Sequence, residues 1–181
     1  MTEPLFLDTD CFSTFLVVGR ENLILQLYAG RIVIPQQVYE ELKKVHFMKS
    51  KVDALRQDGR VMLYQIIAGT VEGDLYIKLT TKPDPGYKVI GIGEAAAITL
   101  AKQYNGILGS NNMRDILPYL QLYHLQHRTS ADIMAEALEQ HLIREGQGNA
   151  IWKEMLQRNR KLPANTFTEF LASRKQQRTD G

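Results

Sequence analysis

The 181-residue chain holds a single cysteine, Cys11, and a single tryptophan. One cysteine excludes an internal disulfide and supplies no thiolate cluster for structural zinc, which points to a reducing, cytoplasmic setting. Long apolar runs are also missing, since none approaches the ~20 residues that a membrane-spanning helix needs. The first apolar segment, Leu5-Phe6-Leu7, is interrupted by Asp8 and Asp10 and so cannot form a signal-peptide core. No membrane association is expected. An excess of either charge is absent too: 22 Lys and Arg stand against 20 Asp and Glu, a net +2, so bulk charge does not mark the chain as a nucleic-acid binder. Internal repeats and low-complexity tracts are lacking.

What is present is ordinary for a soluble globular protein, with 44% hydrophobic and 23% charged residues and enough length for one domain but not two. The expected division is a domain over residues 1–165, with its acidic motifs within 5–130 and helices over 130–161, followed by a tail at 166–181. Basic residues cluster late, at Arg158, Arg160 and Lys161 and again at Arg174, Lys175 and Arg178. That clustering reads equally as a nucleic-acid contact or as a solvated helix face and tail.

Along the chain, apolar runs alternate with helical patterns. Residues 5–9 read as a strand ending in acids, and 11–18 and 22–28 as helices. Residues 31–34 are β-branched and stop at Pro35, which suits a helix start, so 36–44 read as the helix of a second strand-to-helix unit. A helix over 49–57, a strand within 61–67 and a helix over 70–81 follow, then the breakers Lys82-Pro83-Asp84-Pro85-Gly86. The alanine-rich stretch 92–103 has high helix propensity, and 107–110 is a short strand. The next helix runs through Tyr123, with Pro118 either kinking it or marking its first turn. A fifth strand at 126–129 and helices over 130–140 and 149–160 complete the pattern. Strands alternating with helices predict an α/β fold with a mainly parallel sheet covered on both faces. Ligands in such folds bind beyond the carboxyl ends of the strands, where Asp8, residues 35–41 and residues 110–112 should all emerge.

Asp8-Thr9-Asp10 places a carboxylate at that edge, although Asp and Thr also cap helices. Glu40 and Glu41 are adjacent on a helix and point roughly a hundred degrees apart, so one alone can face the site. Glu41, four residues after Gln37 and next to Leu42, is the better candidate, which leaves Glu40 as a solvated charge. In Gly91-Ile92-Gly93-Glu94-Ala95-Ala96-Ala97, two glycines allow close backbone approach and Glu94 opens a helix of small residues, where an acid also suits the helix dipole. The stretch matches the glycine pattern of dinucleotide sites, but no long strand precedes it, no ribose-binding acid follows at the right distance, and Glu94 would repel a pyrophosphate. His46, His124, His127 and His141 share no metal-ligand spacing. Ile151, Trp152, Met155 and Leu156 form an apolar helical stripe that belongs to a core. Residues 166–171 are suited to docking on the body or on a partner chain.

The chain resembles the PIN-domain family, which includes bacterial toxin ribonucleases and related small proteins. The resemblance rests on Leu5-Phe6-Leu7-Asp8-Thr9, on Ile32-Val33-Ile34-Pro35 through Glu41-Leu42, and on Gly91-Ile92-Gly93-Glu94-Ala95 with Ala97-Ile98 and Leu100-Ala101. It implies a three-layer α/β/α sandwich in which Asp8, Glu41 and Glu94 serve a bound Mg²⁺ or Mn²⁺ and RNA is cut. Hard cations do prefer carboxylate oxygens. The family places one or two acids after the strand at 107–110, where this chain has Asn111-Asn112. Amide oxygens there would complete a ligand set of Asp8, Glu94, Asn111 and Asn112 with less negative charge. Thr9, Asp10, Ser110 and Asp115 are further candidates, although Asp115, three residues after Asn112, more readily completes a capping box. The implied partners are RNA, an antitoxin protein and a second copy of the chain. Two other functions fit the same residues: a PIN-like module that binds RNA or protein without turnover, and, more distantly, a phosphohydrolase resembling the haloacid dehalogenases, with Asp8 as nucleophile and Asp10 as acid/base.

Overall fold

Alternation along three strands sorts the apolar residues onto the two faces of one sheet. In β1 (Leu5–Leu7), Leu5 and Leu7 face one way and Phe6 the other; Ile32 and Ile34 oppose Val33 in β2 (Ile32–Pro35), and Ile107 opposes Leu108 in β4 (Ile107–Gly109). With β3 (Met62–Tyr64) and β5 (Gln126–Arg128) they form a five-stranded, fully parallel sheet in the order β3-β2-β1-β4-β5. The computed structural model describes residues 3–179.

Helices cover both faces. Against Leu5, Leu7, Ile32 and Ile34 pack α1 (Thr9–Leu16), α2 (Glu21–Leu27), α3 (Gln36–Leu42), α4 (His46–Gln57), α8 (Ser130–Glu139) and α9 (Glu145–Gln157). Against Phe6, Val33 and Leu108 pack α5 (Val71–Thr81), α6 (Ile92–Gln103) and α7 (Met113–Tyr123). The result is the expected α/β/α sandwich. Each fully buried side chain of this kind contributes about 1.5–3 kcal/mol relative to exposure. α6 lies close to the sheet because its buried face is largely alanine: Ala95, Ala96, Ala97 and Ala101 are inaccessible.

Several boundaries differ from the sequence expectation for local reasons. α9 begins at Glu145 rather than 149, because the Gln147 side chain accepts from the Arg144 N–H at 2.8 Å and closes the first turn despite Gly146 and Gly148. α4 begins at His46, and the strand expected within 61–67 is reduced to three residues, leaving Ile67 exposed. Pro118 lies inside α7, beyond its first turn. Thr129 does not extend β5; its hydroxyl caps α8 by accepting from the Asp132 N–H at 3.1 Å.

Within the stretch expected as a tail lies α10 (Phe167–Thr179), which packs on α9. Phe167 is buried and its ring lies 5.5 Å from that of Trp152, with Phe170 stacked at 5.4 Å. Gly148 makes room for this seam: a Cβ there would stand 2.3 Å from the Phe167 ring. Leu156, expected in the core stripe with Ile151, Trp152 and Met155, is 36% exposed and lies at its edge. Among the described residues no helix is long and apolar enough to cross a membrane.

Candidate metal centre

Strand order reverses beside β1: the chain steps from β1 through β2 to β3 on one side, and β4 and β5 fill the other. A crevice opens at such a reversal beyond the strand ends, because the connecting segments diverge there. The backbone joins across it, with the Asp8 N–H donating to the Gly109 carbonyl at 2.9 Å, so the residues after β1 and after β4 are neighbours. A cavity of about 220 Å³ lies at this edge, lined by Asp8, Thr9, Asp10, Glu41, Gly91, Gly93 and Glu94.

Asp8 caps a helix and also lines the cavity. Its Oδ1 caps α1 by accepting from the Cys11 N–H at 2.7 Å, while Oδ2 is buried without a completed hydrogen bond. The side chain is 1% exposed. Burial pushes its pKa up to about 7; the Ser110 hydroxyl and the Cys11 N–H moderate the rise, and Asp10 and Glu94 add to it.

Glu41 comes from α3 and faces the cavity, whereas Glu40 pairs with Lys43 and accepts from Gln36 on the outer surface. The Thr9 hydroxyl donates to Glu41 Oε2 and draws the carboxylate across to α1. Gly93 lies beneath this contact, where a Cβ would stand 2.9 Å from Glu41 Oε2 and 3.0 Å from Thr9 Oγ1. The second glycine of the motif therefore admits a carboxylate, not a phosphate.

Glu94 sits in the first turn of α6, and its Oε2 accepts from the Gly91 N–H at 3.3 Å. Its Oε1 accepts from Asn112 Nδ2 at 2.6 Å, and the same amide nitrogen donates to Asp115 Oδ2 at 2.7 Å. Burial raises the Glu94 pKa; the Asn112 and Gly91 donors oppose the rise, and Asp115 and Glu41 add to it.

This arrangement corrects the capping expectation. Asn112 stands at the N-cap of α7 but makes no side-chain cap, so the capping box with Asp115 does not form. Asp115 instead turns towards Glu94 and brings a carboxylate to the cluster. The Asn pair, expected to offer oxygen ligands, presents N–H groups: Asn111 Nδ2 donates to Asp10 Oδ2 at 3.2 Å while its Oδ1 accepts from the Ser130 N–H at 2.8 Å. Reversing the Asn112 amide would set its oxygen against two carboxylates, so the donor orientation is the favourable one.

Ser110 is fully buried, and its carbonyl meets His127 Nε2 at 2.7 Å, which braces the loop from β5. One residue at the rim has no local sequence signal. Arg160 reaches back to α1, with Nη1 3.2 Å from Ser13 Oγ and 3.7 Å from Asp10 Oδ1.

The donor set suits a divalent cation in kind: it is all oxygen, it places further acids beside the buried Asp8, and Asp8 Oδ2 completes no hydrogen bond. As they stand, no three His, Cys, Asp or Glu side chains among the described residues are close enough together to hold an ion. Thr9 holds Glu41 aside, and Gly91 and Asn112 occupy both oxygens of Glu94. Coordination would exchange some of these hydrogen bonds for ligand bonds.

The model of a family described as a PIN domain matches residues 5–176. Among solved structures, DNA-bound VapBC from Salmonella typhimurium is similar at 16% identity and a TM-score of 0.48, covering 72% of this chain and 99% of that one. FitAB bound to an IR36 DNA fragment is similar at 14% identity and a TM-score of 0.44, covering 70% of this chain and 94% of that one. No curated protein matches the chain.

Proposed function

Because the chain belongs to the PIN-domain family, we propose that it is a metal-dependent ribonuclease whose centre is the acid crevice beyond β1 and β4. One observation carries this reading. Asp8 is a buried carboxylate whose pKa is pushed to about 7 and whose Oδ2 lacks a partner, set beside Asp10 and Glu94. Burying an acid in this way is costly, and a cation at the crevice would offset the cost.

Asp8 and Glu94 would hold Mg²⁺ or Mn²⁺, with Asp115 supplying the second charge on the Glu94 side in place of an acid at 111 or 112. A cation held there contributes positive charge and Lewis acidity towards a phosphoryl oxygen. Glu41 Oε1, the oxygen that Thr9 does not bind, accepts the proton of a water whose oxygen bonds to the phosphorus while the bridging P–O bond breaks and the leaving oxygen takes a proton from solvent, and Thr9 fixes the direction of Glu41. Asn112 keeps Glu94 and Asp115 together by donating to both. No side-chain nucleophile is needed.

Purified chain with Mg²⁺ or Mn²⁺ should cleave single-stranded RNA, and a chelator should stop it. Glu41→Gln should lose about 10²- to 10⁴-fold in rate, as expected for removing a general base, and Glu94→Gln should abolish cleavage. Equal cleavage by both variants and the unaltered chain would mean the crevice is not the site. In its finer form the proposal makes the chain the homodimeric toxin of a toxin–antitoxin pair, resting on the family resemblance. Growth arrest on induction, relieved by a protein encoded next to it, is the matching test.

A second reading, a module that binds RNA or protein without turnover, draws on the Asn112 amide, which holds Glu94 and Asp115 in a neutral bridge. Replacing both asparagines with aspartate separates the two. A large gain in cleavage favours the second reading, and full activity in the unaltered chain removes it.

A further inference from the structure

Beside the acid crevice lies a second cavity of about 230 Å³, walled by Asn111, Met113, Thr129, Ala131, Lys161 and Leu162. The two are neighbours, since Asn111 of the second cavity donates from Nδ2 to Asp10 of the acid crevice. We propose that this second cavity binds the nucleotide next to the scissile phosphate of an RNA strand, with Lys161 contacting that nucleotide's phosphate. The proposal rests on the nuclease reading and extends it.

Three observations converge. The lining is largely apolar, with the exposed Met113, the buried Ala131 and the half-buried Leu162 offering contact to a sugar or base ring. Lys161 lines the cavity, is exposed and, among the described residues, makes no ion pair or hydrogen bond, while the neighbouring crevice holds Asp8, Asp10, Glu41 and Glu94, which would repel a polyanion. A free cation at this position offsets that repulsion locally, where net charge does not.

The third observation is that the loop is held in place at both ends. Asn159 turns the chain with a φ of 57°, and Arg160 then ties it to Ser13 and Asp10 on α1. Beyond Leu162, the Ala164 carbonyl accepts from Trp152 Nε1 at 3.0 Å. Lys161 is therefore presented by a preorganised segment, which reduces the ordering cost of a contact.

The subsite should be indifferent to base identity. Asn111 is engaged by Asp10 and Ser130, and Thr129 by Asp132, so recognition falls on charge and apolar contact rather than on base edges.

The test is binding of a fluorescein-labelled oligouridylate to the full chain, followed by anisotropy in Ca²⁺ over a series of salt concentrations. Lys161→Ala should weaken binding about tenfold and lower the slope of log affinity against log salt by about 0.7, the value for one phosphate contact on a single strand. Lys161→Arg should restore both, and an oligocytidylate should bind the unaltered chain within about twofold of the oligouridylate. An unchanged slope in Lys161→Ala, or no binding by the unaltered chain, overturns the proposal. If the slope is unchanged while Glu94→Gln still abolishes cleavage, the subsite fails and the nuclease reading stands. A lowered slope in a chain that cleaves nothing has the reverse meaning.

Discussion

The seam between α9 and α10 and the acid rim beyond β1 and β4 are both built from side chains distant in sequence, yet they treat polar atoms in opposite ways. In the seam every demand is met: the Trp152 ring is buried against Phe167 and Phe170, and its one N–H reaches the Ala164 carbonyl. At the rim Asp8 Oδ2 completes no hydrogen bond, and Asp10, Glu41, Glu94 and Asp115 lie near one another with Arg160 paired to Asp10. Packing that satisfies itself contributes stability and nothing else. A cluster left electrostatically incomplete costs stability until something outside the chain completes it.

Substitutions can break this contrast, and the largest effect is expected in the seam. Trp152→Ala should cost about 3–5 kcal/mol, through lost burial and the cavity left behind. Urea unfolding would measure it, and activity per folded molecule should stay close to that of the unaltered chain. A normal stability with lost activity would show that the seam is not the inert partner in the comparison.

Asp8→Asn should do the reverse. The Asp8 pKa is raised from 3.8 to about 7, so between these values the folded chain keeps a proton that the unfolded chain releases. Stability therefore falls as pH rises through this window, with a full cost of about 4 kcal/mol at most above pH ~7. In a chelator at pH ~8 the asparagine variant, which keeps the cap on Cys11, should be more stable by about 2–4 kcal/mol, and the gain should vanish near pH ~4. A less stable variant at pH ~8 would show that the carboxylate is not a burden. Divalent metal should stabilise the unaltered chain and leave the variant unmoved.

Gly93→Ala should give the smallest effect and divide the two properties most sharply. The new methyl meets the end of the flexible Glu41 side chain and the Thr9 hydroxyl rather than backbone. Glu41 can move aside, so stability should change by less than about 1 kcal/mol, with alanine favouring the helix. Cleavage should fall about tenfold, equivalent to ~1.4 kcal/mol in the barrier. Thermal unfolding beside single-turnover kinetics would check it; a matched loss of both would mean that Gly93 serves packing alone.

Much of this was legible in the residues. The alternation of strands with helices predicts a parallel sheet covered on both faces, and helix geometry lets only one of Glu40 and Glu41 face the crevice, with Gln37 and Leu42 favouring Glu41. The role of Asn112 was not legible. Its spacing to Asp115 signals a cap, and only the close approach of α6 brings Glu94 near enough to claim the same amide. Arg160 was hidden for a related reason: within its own segment it is one base among several, and its partners Ser13 and Asp10 lie on the first helix. Short-range pattern cannot encode a contact between segments so far apart.

The central place of β1 has a consequence for the order of events during folding. Among the described strands it comes before the others in the chain, but its two edges are filled by β2 and, much later, by β4. Until residues 107–109 arrive, the Asp8 N–H has no Gly109 carbonyl to meet, and its carboxylate stays in water, charged at no cost. Docking of β4 is thus the step at which water is stripped from Asp8, and a long loop is closed at the same moment. Burial of the Asp8 carboxylate and closure of a long loop then coincide, so divalent metal and mild acid should both speed refolding.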